Sequence, residues 1–322
     1  MSACGCGPGA DRKVVVSTGS LPRLADKPYW DMSGIGGAAE ALGSPPLELV
    51  LLPEWDASGP PVTSHNADLD LSQRIGMDRI FCHAVELARR FGVPSVHASR
   101  DVGPLLGSDS EAERRRGRRQ LREACDVARA VGAGQVVVHA WDTFAAVVDP
   151  HAVAARLAEV TLDQPAAGLV ISIEGVPVSV PGWSPVRMAA AVAVELEAEA
   201  AGAQGFRTGV TVDLNWVSQA GDLEDCFAAS GSRFSRLGAT GGGGIVAVTN
   251  IHVHGSVVES ADNCEVRPLA GNLDFGGALR RLSAGYPRAQ LTLELSGLFR
   301  AGQACGALRW ARSCSGAHQL PR

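Results

Sequence analysis

The feature that most constrains this chain is a recurring strand ending. Leu169 to Gly175 reads Leu-Val-Ile-Ser-Ile-Glu-Gly, a short β-branched run that stops on Glu174. Such a run is typical of a strand buried on both faces of a parallel sheet. An unpaired carboxylate at its end costs several kcal/mol, roughly, so Glu174 must meet a cation, a metal ion or a catalytic partner just beyond the strand. The same ending returns in Gly209 to Asp213, in Ala247 to His252 and in Gln290 to Glu294. Four successive strands that end on Glu, Asp, His and Glu demand a common explanation.

Four further runs precede these. Lys13 to Ser17 is followed by a Gly/Ser turn; Leu47 to Leu52 leads to Pro53 and Glu54; Val93 to His97 and Gly134 to His139 both end on histidine. Between the runs lie segments of helical spacing: Gly34 to Leu42, Gln73 to Phe91, Ser110 to Val131, a helix capped by Asp149 that runs to Val160, Pro185 to Ala201, Gly221 to Ala229, Phe275 to Leu282 and Ala301 to Arg312. Strict alternation of strand and helix implies parallel strands with right-handed crossovers. Eight units in 322 residues, with no linker between them, predict a single α/β domain, a (β/α)8 TIM barrel over residues 13–322 behind a disordered leader, 1–12. A hydrophobic content of 46% is ample for its core.

Chemistry in such barrels sits at the C-terminal ends of the strands. Here those ends carry Ser17, Glu54, His97, His139, Glu174, Asp213, His252 and Glu294. Three carboxylates and a histidine on the last four strands form a mixed oxygen and nitrogen donor set, suited to Mn2+, Mg2+, Co2+ or Zn2+ rather than to a soft ion. Without a cation the carboxylates would repel one another. With one, coordination positions remain for substrate oxygens while a neighbouring carboxylate moves a proton.

The motifs resemble those of the xylose isomerase-like barrel superfamily, which includes sugar phosphate isomerases and epimerases and the AP endonuclease type of phosphodiesterase. The resemblance runs over roughly residues 13–297: Val96-His97-Ala98, Gly134 to His139, Ser172-Ile173-Glu174, Val212-Asp213, Ile251-His252-Val253 and Leu293-Glu294 stand in the family's order. It implies one divalent metal ion held by Glu174, Asp213, His252 and Glu294. In the isomerase branch Glu174 and Glu294 flank the substrate and exchange protons with carbons beside its carbonyl, and His97 and His139 contact substrate. In the endonuclease branch His97 and His139 join Glu174 around a second metal.

Two departures matter. The family's histidine three residues after the strand-six aspartate is replaced by Trp216. The endonuclease branch's Asp-x-His pair after strand seven has no counterpart; Asn263-Cys264-Glu265 and Arg267-Pro268 stand in that region. The first argues against an ordinary epimerase site, the second against DNA repair. The expected activity is that of a metal-dependent isomerase or epimerase of a sugar, keto-polyol or related hydroxy-carbonyl compound. A lyase, dehydratase, cyclase or hydrolase on the same barrel is the alternative; a phosphodiesterase on nucleic acid is a third reading, and a non-catalytic barrel that binds a ligand or a partner protein a fourth.

Around the strand ends several residues carry two readings each. His254 shares a face with His252 and either orients substrate or belongs to the following loop. Trp141 and Trp216 either stack on substrate or pack the barrel mouth. Arg267 is read as a binder of an anionic substrate group, Glu54 as a substrate ligand or a loop charge. His65, His83, His151 and His318 are assigned no role.

The remaining features are bland. The basic run Arg114 to Arg119, with Glu111, Glu113 and Glu123 near it, reads as a solvated helix face. The glycines of 238–244 are not followed by Lys-Ser/Thr and make no phosphate loop. Cys4 and Cys6 read as incidental thiols of the leader, and the eight scattered cysteines as reduced. There is no signal-like N-terminus and no membrane span, so a cytoplasmic protein is expected. A net charge of −5 argues against nucleic acid as partner. The expected partner is a small-molecule substrate, and exposed barrel helices leave a homodimer open.

Overall fold

The computed structural model describes residues 14–25, 34–51, 77–162, 168–200, 205–228, 246–260, 263–296 and 300–316. The leader with Cys4 and Cys6, the segment 52–76 with Glu54 and His65, the glycines of 238–244 and His318 lie outside the described residues.

Eight parallel strands close into the expected barrel. They are β1 (Val14–Ser17), β2 (Leu47–Val50), β3 (Ser95–His97), β4 (Gln135–His139), β5 (Val170–Glu174), β6 (Arg207–Asp213), the first part of β7 (Ala247–Ser260) and, after β8 (Asn263–Arg267), β9 (Gln290–Leu295). Each pairs in parallel with its neighbour from β1 to β7, β7 pairs with β9, and β9 with β1. The alternation of side chains decides what goes where. Ile171, Ile173, Val136, Val138, Val210, Val212, Ile251, Val253, Leu291 and Leu293 are buried in the apolar layer shared with the helices. The opposite faces fill the barrel with polar groups: Ser172 Oγ meets Thr211 Oγ1 at 2.6 Å and Thr249 Oγ1 at 2.8 Å.

The helices start and stop where local chemistry dictates. Ser110 caps the helix Glu111–Val131 through Glu113 N, and Gly132 ends it in the left-handed conformation, φ 73°. Asp149 accepts from His151 N at the start of the helix Pro150–Thr161. The basic run on the first of these helices is paired, Arg114 with Glu111 at 2.8 Å and Arg118 with Glu159 at 3.5 Å. A short helix, Val102–Gly107, is absent from the sequence expectations. Its Gly103 lies so close to the end of β4 that a Cβ there would collide with the Ala140 carbonyl carbon.

One expectation needs correction. Strand seven does not end at His252: it runs on to Ser260 and turns back as an antiparallel hairpin, Ser256 opposite Arg267 and Val257 opposite Val266. The segment Asn263 to Arg267 is the returning strand, in which Val266 packs inward at 2% exposure while Glu265 and Arg267 on either side face outward. Among the described residues no helix is long and apolar enough to cross a membrane.

Candidate active site

The strand ends gather one cavity of about 530 Å³, lined among others by His97, His139, Trp141, Glu174, Asp213, Trp216, His254 and Glu294. Its depth follows from register. Around the barrel His139 stands level with Glu174, Asp213 with His252, and His254 with Glu294. His252 and His254 both face inward, but one level apart. His254 reaches the cavity, whereas His252 has no solvent exposure and lies beneath it.

Glu174 is the hub. His97 Nε2 stands 2.9 Å and His139 Nε2 3.2 Å from Glu174 Oε2, and His252 Nδ1 stands 3.6 Å from the same oxygen. His97 Nδ1 donates to the Ala98 carbonyl at 2.7 Å. Both ring nitrogens therefore face acceptors, which only an imidazolium can satisfy. Burial alone would lower the pKa of His97, but the Glu174 carboxylate outweighs it and raises the value to about 9. Burial likewise opposes the charge of Glu174; the rings of His139 and His252 overcome it and hold the carboxyl well below its ordinary range.

Asp213 is divided between structure and site. Its Oδ1 caps the helix Leu214–Ala220, accepting from Asn215 N at 2.7 Å and Trp216 N at 3.3 Å. Its Oδ2 is left for the cavity, 3.3 Å from His254 Nδ1, and His254 Nε2 meets Ser296 Oγ at 2.9 Å. Burial raises the Asp213 pKa, with Glu174 and Glu294 adding to the effect against His254. For His254, burial is outweighed by Asp213, and the value rises to about 9. Glu294 is held at about 2 because the rings of His252 and His254 more than offset burial.

Two groups of side chains bring metal-ligating atoms within 4.8 Å of one another: Asp213, His254 and Glu294, and His97, Glu174 and His252. The four residues expected to hold one ion are thus shared between the two groups. A specific orphan accompanies them. His252 Nδ1 is buried with no hydrogen-bond partner among the described residues, 3.6 Å from Glu174 Oε2 and 3.4 Å from Glu294 Oε2. Three converging carboxylates with imidazole nitrogens between them fit a divalent cation.

The flanking residues divide. Trp216 stands edge-on to His254, ring centroids 6.3 Å apart, at the cavity wall. Trp141 also borders the cavity but is 4% exposed and donates Nε1–H to the Val176 carbonyl, which makes it largely a packing residue. Arg267 is not brought to the site: it sits on the hairpin, paired with Glu265, and lines an open cavity of about 1010 Å³ beside the helix Ala301–Ser315. The hairpin that carries Arg267 turns away from the strand ends, which is why sequence proximity to His254 misleads.

Sequence reasoning missed Glu48. It lies inside β2, fully buried, with Oε1 3.0 Å from His252 Nε2. Burial would raise its pKa, but His252, with His97 and Ser95, lowers it, so Glu48 is a buried carboxylate. A lone acid inside Leu47-Glu48-Leu49-Val50 was the available signal. Arg100, Asp101 and Asp142 also reach the cavity rim unannounced.

No family model matches this chain, and no curated protein matches it by sequence. Its fold does have relatives among solved structures. An L-ribulose 3-epimerase superposes with a TM-score of 0.58 at 14% identity, covering 95% of each chain. A D-allulose 3-epimerase from Methylomonas sp. gives 0.56 at 16% identity, covering 94% of this chain and 98% of its own. The TTHB071 protein from Thermus thermophilus, soaked with ZnCl2, gives 0.53 at 16% identity, covering 96% of this chain and 100% of its own. The fold is therefore the (β/α)8 barrel that these structures share.

Proposed function

We propose that this chain is a divalent-metal-dependent isomerase or epimerase of a sugar, keto-polyol or related small hydroxy-carbonyl compound. The observation that carries the reading is the pair Glu174 and Glu294. They come from β5 and β9, strands separated by β6 and β7, face one cavity, and converge on the unpartnered Nδ1 of His252.

Glu174, Asp213, His254 and Glu294 would hold the ion, with His254 taking the place that sequence order gives to His252. In support, His254 lines the cavity beside Asp213 and Glu294, whereas His252 is sealed below it. A divalent cation held there would supply Lewis-acid polarisation of a substrate carbonyl. The chain's own groups do the rest. Glu174, ionised in the resting site, would accept a proton from a carbon beside the carbonyl and release it to solvent, and Glu294, once it has taken a proton from solvent, would deliver that proton from the other side. His97 and His139 steady the Glu174 oxygen they share, and Trp216 walls the cavity beside His254.

The test is solvent deuterium incorporation into ketoses, followed by NMR with metal-loaded protein. Proton transfer predicts carbon-bound exchange in the wild type and its loss in Glu174→Gln and Glu294→Gln, both still folded. Full exchange in either variant sinks the reading.

One observation favours a second reading. His97 and His139 crowd a single oxygen of Glu174 at 2.9 and 3.2 Å. A second ion at His97, His139 and Glu174 would suit lyase, dehydratase, cyclase or hydrolase chemistry, and absence of exchange with every sugar would favour it.

A further inference from the structure

The barrel interior holds a further acid, beside Glu174, Asp213 and Glu294, that the proposed reaction does not use. Glu48 sits in β2 with no solvent exposure, and its Oε2 is gripped from three other strands. Ser95 Oγ donates at 2.8 Å, Asn250 Nδ2 at 3.0 Å, Gln290 Nε2 at 3.3 Å and Thr292 Oγ1 stands at 3.4 Å. A carboxylate oxygen surrounded by this many donors has nowhere to move. The other oxygen shares none of them. Glu48 Oε1 has no hydrogen-bond partner among the described residues and stands 3.0 Å from His252 Nε2.

His252 continues the line. The ring is rigid and its nitrogens point to opposite sides, so fixing one fixes the other. With Nε2 paired to Glu48 Oε1 and 3.0 Å from Asn250 Nδ2, itself bonded to Glu48 Oε2, Nδ1 faces upward to Glu174 Oε2 at 3.6 Å and Glu294 Oε2 at 3.4 Å. One imidazole thus connects an anchored carboxylate below to both cavity carboxylates above.

We propose that Glu48 is a positioning residue that acts through His252 to set where the Glu174 and Glu294 carboxylates sit. The inference rests on the reading of those two acids as the metal-holding, proton-moving pair. A merely structural Glu48 would affect stability alone. A positioning Glu48 changes groups at the cavity that it never touches.

The experiment is Co2+ binding by the full-length metal-free protein, measured by calorimetry for wild type, Glu48→Gln, His252→Gln and the double variant, with urea unfolding alongside. Glu48→Gln keeps shape and removes charge. It is expected to fold and to weaken Co2+ binding about 10- to 100-fold, the usual effect of losing a residue behind a ligand. The double variant should bind within about twofold of His252→Gln alone, because the two residues act in series. If Glu48→Gln does not fold, Glu48→Asp, with the charge drawn back by one methylene, takes its place in the same cycle.

Wild-type affinity in a folded Glu48 variant, or losses that multiply in the double variant, would overturn the inference. A wild type that binds no Co2+ would instead defeat the metal reading. Glu48 is then judged by the 13C shifts of the Glu174 and Glu294 carboxyl carbons: the substitution must move them, and unmoved shifts refute the inference.

Discussion

Replacement of His97 by glutamine should remove a specific alkaline sensitivity from the folded state. His97 has a pKa of about 9 in the fold against an ordinary 6.5. A raised folded pKa means that the stabilisation is fully present below about 6.5 and is lost as pH rises through about 9. At 1.36 kcal/mol per pH unit, the difference is worth about 3 kcal/mol. The ring is 6% exposed and bonded to Glu174 at 2.9 Å, so solvent screens little of this. Glu174 limits the other side: its depressed pKa stabilises the fold above the ordinary carboxylate range and is lost only in strong acid. The assay is urea unfolding of metal-free protein at about pH 6 and about pH 9.5, for wild type and His97→Gln. Wild type should lose about 3 kcal/mol more than the variant between the two conditions. Equal losses would refute the claim that Glu174 holds His97 as a cation.

Two further outcomes follow from the geometry. His254 has a pKa of about 9, so a metal ion must displace its proton below that value. Metal affinity should rise about tenfold per pH unit from pH 7 towards 9, with one proton released per ion, as read by calorimetry in buffers of different ionisation enthalpy. A pH-independent affinity would count against His254 as a ligand. Gly103→Ala would drive its Cβ into Trp141 N and to 2.5 Å from the His139 carbonyl oxygen. Backbone cannot step aside as a flexible side chain can, so the change should cost about 1–3 kcal/mol in urea unfolding and disturb His139. Wild-type stability would show that the Val102–Gly107 helix does not press on β4.

The barrel was legible because most of its parallel strands announce themselves twice, by an apolar run and by a polar residue at its end; β2, which stops on Val50, does not. Glu174, Asp213 and Glu294 stood out for that reason. Glu48 did not, since an acid within a short strand looks like an outward-facing polar residue until the barrel closes and puts Ser95, Asn250 and Gln290 around it. Nor could spacing choose between His252 and His254. Both point inward, and which of them reaches the mouth is set by the stagger of β7 against β6 and β9, a property of the closed barrel. Arg267 failed for the opposite reason: β7 continues past the barrel rim, and the hairpin carries Arg267 away from it.

The central claim is a divalent ion held at the strand ends, and elemental mass spectrometry of untagged protein tests it most directly. About one equivalent of Mn, Co, Fe or Zn in the wild type, lost in Asp213→Ala and in His254→Ala, is the predicted result. No metal after reconstitution, or full retention in both variants, would contradict it.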